Sequence, residues 1–124
     1  MASFIGLNFG RETENNTGGA VVIRGPHQSI HLSIGHEGAV EIPVKDAAGD
    51  AIDLDESTLR LIIQDYRAAN VATLENGAIA RESPTVTVNL SGTTTAKRRT
   101  LRWYLFDITG GGLVEVAAGY FPVY

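Results

Sequence analysis

An all-β domain, built as a sandwich or a barrel, is what this sequence predicts, and three observations predict it. Apolar and polar residues alternate with period two in run after run from Ala20 onward, with turn residues between the runs. Glycine is abundant, 14 of 124 residues, so turns are many. Charged residues make up only 19% and there are just two lysines, Lys45 and Lys97, too few to solvate long helical surfaces. At this length one core suffices for one domain, expected over residues 20–124.

Residues 1–19 begin with apolar and small residues and turn polar through Arg11 to Gly19, which reads as an arm and a flexible joint. Its Phe4, Ile5, Leu7 and Phe9 would be costly to leave in water, so they are expected to dock on the domain or on a neighbouring subunit. Val21, Val22 and Ile23 open the strand series. Ile30, Leu32 and Ile34 alternate with Ser29, His31 and Ser33, which puts three aliphatic side chains on one sheet face. Val40, Ile42 and Val44 alternate with Glu41, Pro43 and Lys45, and because Pro43 cannot donate to a ladder this strand belongs at an edge.

The segment after Asp53 fits two patterns. Leu59, Ile62, Ile63 and Tyr66 fall at helical spacing behind a capping sequence, while Leu59, Leu61 and Ile63 fall on one face of a strand. The strand is the preferred reading. Val71–Glu75 and Ala78–Arg81 flank Asn76-Gly77, the dipeptide of a type I′ turn, so a tight hairpin is expected there. Val86, Val88 and Leu90, then Leu101, Trp103 and Leu105, supply two more inward faces, and a last strand runs from Leu113 to Tyr124 beyond the glycines at 110–112.

Chemistry is sparse. With no cysteine there is no disulfide, thiolate metal site or thiol nucleophile. His27, His31 and His36 would not share one strand face, and His36-Glu37 lacks the second histidine of a zinc helix, so solvent-facing histidines are expected. The carboxylates from Asp46 to Glu56 lack the ordered spacing of a calcium loop. No nucleophile elbow, phosphate loop or dinucleotide fingerprint occurs. The expectation is a non-enzymatic protein with no catalytic residue, no cofactor and no metal. Trp103 is expected in the core; a sugar platform would need Tyr104, Phe106, Tyr120 and Tyr124 exposed on one face.

A formal net charge of −4 argues against nucleic acid or an anionic membrane as partner. No apolar run approaches a membrane span, and the opening residues lack the pattern of a secretory signal. Charge is polarised along the chain: Lys97, Arg98 and Arg99 with Arg102 form the basic cluster, while Glu37 to Asp65 is acidic. If the two lie on different faces, identical subunits can meet head to tail, in rings or lattices.

Two stretches carry a family resemblance. Asp46-Ala47-Ala48-Gly49-Asp50-Ala51-Ile52-Asp53-Leu54 followed by the strand from Thr58 to Tyr66, and Arg102–Ile108 followed by a glycine turn and Leu113–Val123 ending in Gly119-x-Phe121-x-Val123, resemble the immunoglobulin-like modules of tailed-phage virion proteins, such as baseplate upper proteins and head or tail accessory proteins. The resemblance spans residues 38–124. In such modules a short helical turn precedes the penultimate strand; here Thr93–Arg99 occupies that place, and its threonine run is a poor helix former.

The resemblance implies an immunoglobulin-like antiparallel β-sandwich with an extended N-terminal arm. It also implies a virion structural protein made in the host cytoplasm, most simply a decoration (cement) protein on the outer capsid. The alternatives are a tail, baseplate or neck adaptor or fibre-attachment protein, and a glycan-binding adhesin module. Its partners would be the major capsid protein or other virion subunits, with further copies of itself in an oligomer or lattice. The expected protein interface is Phe4, Ile5, Leu7 and Phe9 of the arm together with Lys97, Arg98 and Arg99.

Overall fold

The computed structural model describes residues 21–82 and 85–124. The arm residues Phe4, Ile5, Leu7 and Phe9, and the joint that follows them, lie outside the described residues. Nine strands make up half of the described residues: β1 Val21–Val22, β2 Gln28–Ser29, β3 Gly38–Pro43, β4 Leu59–Gln64, β5 Asn70–Glu75, β6 Ile79–Glu82, β7 Thr85–Leu90, β8 Arg99–Asp107 and β9 Val114–Val123. No α-helix occurs among the described residues.

Two sheets stack on one another. The larger runs β1-β9-β8-β4-β5 with β2 also on β9, and the smaller runs β3-β7-β6. All pairings are antiparallel except those of β1 and β2, which run parallel to β9. With β3-β7-β6 in one sheet and β9-β8-β4 in the other, the strand order is that of an immunoglobulin-like sandwich in which β5 extends the larger sheet and the first strands, β1 and β2, lie on β9 rather than on the smaller sheet. The core forms where inward residues of both sheets meet: Val40, Ile42, Val86 and Val88 from the smaller, and Leu59, Leu61, Ile63, Leu101, Trp103, Leu105, Phe121 and Val123 from the larger, with Val44 just beyond β3. Trp103 is fully buried and its ring stacks on Phe121 at 5.5 Å between centroids.

The strand reading of residues 59–64 holds, with Leu59, Leu61 and Ile63 buried and Tyr66 in solvent, where a helical stripe would have put it inside. Pro43 sits on β3, an edge strand paired only with β7. The expected Asn76-Gly77 hairpin is overturned. Residues 76–78 form a single 3-10 turn, and neither Asn76 nor Gly77 takes the positive φ that a type I′ turn needs. The chain instead changes sheets here, because β5 pairs with β4 whereas β6 pairs with β7, and the change buries Ile79 in the core. Asn76 serves another purpose, its Oδ1 accepting the Leu59 N–H at the start of β4.

The expected face of Ile30, Leu32 and Ile34 is only partly realised. Leu32 is buried and bridges Val123, Ile30 packs against the core, and Ile34 is exposed in the turn before β3. Likewise Val21, Val22 and Ile23 lie at the sheet edge and stay largely exposed. The threonine run before β8 forms turns rather than a helix. Its Thr94 and Thr95 are buried, and the Thr95 hydroxyl donates to the His36 carbonyl at 2.6 Å while the Gly35 N–H donates to the Thr95 carbonyl.

Candidate functional site

The closing motif Gly119-x-Phe121-x-Val123 has a plain physical basis. Phe121 and Val123 point into the core, and Gly119 faces the backbone of Gln28 so closely that a Cβ there would lie 1.8 Å from the Gln28 carbonyl oxygen. Only glycine lets β2 lie against β9 at that point. Upstream, Glu115 pairs with Phe106 and Ala117 with Leu105, so Val116 is the extra residue of a bulge and turns into the core.

Two aspartate-capped turns close opposite ends of the larger sheet. At one end the β4–β5 hairpin turns through residues 65–69. The Asp65 carboxylate accepts the Arg67 N–H at 2.8 Å and the Ala69 N–H at 3.1 Å, and Ala68 is held at φ 62°, a left-handed conformation rare outside glycine. These backbone bonds, chiefly that from Ala69, hold the Asp65 carboxyl below its ordinary pKa against the opposing effect of burial. The turn projects Tyr66, which is 77% exposed, with the Arg67 guanidinium 5.2 Å above its ring.

The basic cluster stands at this same end, in the loop between β7 and β8. Lys97 and Arg98 are exposed, and Arg98 lies over the ring of Tyr124 at 5.9 Å; on Tyr124 the His31 ring also rests, at 4.5 Å. Arg99 is half-buried and its Nη2 donates to the Thr94 carbonyl. The structure thus puts Lys97, Arg98 and Arg99 at the same end as Tyr66 and Arg67, and gives Arg98 an aromatic partner, Tyr124, that the charge pattern alone did not reveal. Exposure of an aromatic at a hairpin tip depends on turn geometry, and no local sequence signal encoded it.

At the other end, Asp107 closes β8. Burial would raise its carboxyl, but hydrogen bonds from the Thr109 hydroxyl and N–H and from the Ser57 hydroxyl outweigh it and hold the group below its ordinary pKa. Thr109 in turn accepts the Thr58 N–H at 2.8 Å. The acidic stretch from Asp46 to Glu56 lies on this side, joined to the first strands through the Arg24–Asp46 bridge and the Ala47 N–H bond to the Ile23 carbonyl. Three of the residues counted as acidic in the sequence do not belong to it: Asp65 is spent on the hairpin at the far end, Glu37 lies beside Gly92 in the basic loop, and Glu41 stands within β3 opposite Thr87.

Between residues 24–28 and 43–49 the edges of the two sheets leave a cleft of about 350 Å³. Pro26, Pro43, Ala47 and Ala48 give it apolar walls, Arg24, Lys45 and Asp46 supply its charged lining, and the Gln28 side-chain amide donates to the Pro43 carbonyl at 2.7 Å. Arg24 forms an ion pair with Glu115, a buried carboxylate on β9. His27 packs edge-on against Tyr120 at 5.6 Å, and partial desolvation, helped by Arg24 and Arg102, holds its imidazole below its ordinary pKa. His27 and His31 are exposed and His36 is half-buried, and no group of three or more metal-ligating side chains converges among the described residues. Trp103, on β8 between β4 and β9 and fully buried in the core, is removed from any sugar platform; Phe106 is also buried, stacked on Tyr104, leaving Tyr124 as the one strongly exposed ring of the four remaining candidates. No helix among the described residues is long and apolar enough to cross a membrane.

No protein-family model matches the chain, and no curated protein sequence matches it.

Proposed function

We propose that this chain is a non-enzymatic structural protein of a tailed-phage virion, and that its place is on the outer capsid as a decoration protein. The sandwich is a rigid adhesive block whose partners are the major capsid protein, other virion subunits and further copies of itself. One observation supports this reading above the others: the two ends of one rigid sandwich carry opposite charge, Arg67, Lys97 and Arg98 at one and Asp50, Asp53 and Glu56 at the other. Such a body docks in one orientation on a repeating surface, and many weak contacts on a symmetric lattice add up through avidity.

The arm residues Phe4, Ile5, Leu7 and Phe9 are proposed to supply the apolar grip, laid into grooves on the shell or added as a strand to an open edge. The test is immunogold imaging, with antibody to this chain, of particles made by the phage that encodes it. Regular labelling over the head supports decoration; labelling confined to the neck or tail replaces it with an adaptor role, and unlabelled particles end the virion reading. Removing residues 1–10 is expected to abolish particle binding and to leave the thermal transition of the domain in place.

A further inference from the structure

Resting on the reading of the chain as a self-associating block, we propose that copies join head to tail by seating the Tyr66–Arg67 hairpin tip of one copy in the cleft between Pro26, Pro43 and Ala48 of the next. Tyr66 is the most exposed large apolar side chain among the described residues, and a tyrosine left in water on a tight turn is the residue type that anchors interfaces. The tip is already ordered. Asp65 fixes the Arg67 and Ala69 amides, and Arg67 is stacked on the tyrosine ring, so little conformational freedom remains to be lost on docking.

The cleft fits the tip in size and chemistry. Its volume, about 350 Å³, is at the small end of ligand-sized pockets and admits a phenol ring, and its proline and alanine walls offer the apolar surface that a ring needs. Charge sets the polarity. Arg24 at the cleft is already neutralised by Glu115, and the other cation of the lining, Lys45, is outnumbered by Asp46 and Asp50 on the loop that forms one wall, so the rim attracts the Arg67 guanidinium. Lys97 and Arg98, at the same end as the tip, add to that attraction over the acidic stretch that continues to Glu56. Because tip and cleft are different surfaces, the contact is heterologous and builds rings or open chains rather than closed dimers.

Sedimentation velocity of the full chain at low salt tests this across a concentration series. The expected result is a ladder of species that shortens as salt rises. Tyr66→Ala, which opens no core cavity, and Ala48→Trp, which fills the cleft from an exposed position, are each expected to weaken association about tenfold or more. Arg67→Glu is expected to weaken it similarly, and adding Asp50→Arg in the same chain to restore it. Near-ultraviolet circular dichroism of Trp103 verifies that each variant keeps its core. Association that ignores Tyr66 and Ala48 but is lost with Arg98→Glu and Arg99→Glu overturns the seat while leaving self-assembly intact. A chain that stays monomeric at every concentration overturns the inference, and the particle imaging then decides the virion reading separately.

Discussion

Asp65 and Asp107 perform the same local chemistry at opposite ends of one sheet, and the outcomes differ. Each carboxylate accepts the N–H two residues ahead and is held below its ordinary pKa by the bonds it receives. Around Asp65 every bond is local, from residues 67 and 69, and the result is a tip that holds Tyr66 and Arg67 out in solvent. Around Asp107 the network reaches fifty residues away to Ser57 and, through Thr109, to Thr58, and the result is a seam that ties β8 to the start of β4. An aspartate cap presents or locks according to whether its partners are near or far in sequence. In the proposed assembly the tip is the end that makes contact, whereas the seam holds two strands of the sheet together.

The comparison breaks most visibly beneath both ends. Trp103→Ala removes the largest ring of the common core and is expected to destabilise by about 3–5 kcal/mol, lowering the thermal midpoint for tip and seam together. A tip probe that melts unchanged in this variant would show the two ends to be independent units. Asp107→Ala should come next, at about 2 kcal/mol, because it strips a charged acceptor from Ser57 and Thr109 at once. Asp65→Ala should shift the denaturation midpoint less than Asp107→Ala, yet raise proteolysis at residues 65–69 and weaken self-association; a larger stability loss than at Asp107 would reverse the assignment of tip and seam.

Ala68→Gly relieves the left-handed strain and is expected to stabilise by about 1 kcal/mol, read from chemical denaturation. Tyr66→Ala lies at the bottom of the scale, within about 0.5 kcal/mol, since its ring is in water.

Acid resolves the same contrast without mutation. Both carboxyls are depressed in the folded chain, so their contribution is complete above the ordinary aspartate pKa of 3.8 and is lost as the pH falls through their lower folded values. Asp107→Asn should flatten that acid limb more than Asp65→Asn. His27 adds a separate limb. Its imidazole is depressed, the unfolded chain takes up the proton first, and stability declines as the pH drops below about 6.5 toward the folded value. His27→Gln should remove this decline; an unaltered slope between pH 6.5 and 5 would trace it to another group.

Where one face of a strand was buried, the alternation was legible. Leu59, Leu61 and Ile63, Val86, Val88 and Leu90, and Leu101, Trp103 and Leu105 all point inward as their spacing requires, because a period-two pattern has only two possible registers against a core. Asn76-Gly77 misled because turn propensity is local, whereas the decision to stay in one sheet or cross to the other is made by Ile79 finding a place in the core. The threonines at 94 and 95 form no helix, as the run's weak helix propensity requires, but their burial was not legible: it depends on hydroxyl and backbone bonds to residues 35 and 36 and to Ser91.

The basic half of the candidate site was visible as Lys97, Arg98 and Arg99, since charge is written in composition. Tyr66 and the cleft were not, because exposure at a tip and concavity between two sheet edges exist only once distant strands are in place.

By itself, then, the order of residues determined a β-rich fold, which faces of β4, β7 and β8 turn inward, and that the charge is uneven. Those properties follow from spacing and composition, which are local. Tertiary structure alone decided that β5 and β6 part between the two sheets, that Asp65 and Asp107 end as tip and seam, and that opposite charges face opposite ways. Each of these depends on which residues meet across tens of positions of chain, and that is settled by the packing of the whole core rather than by any single segment.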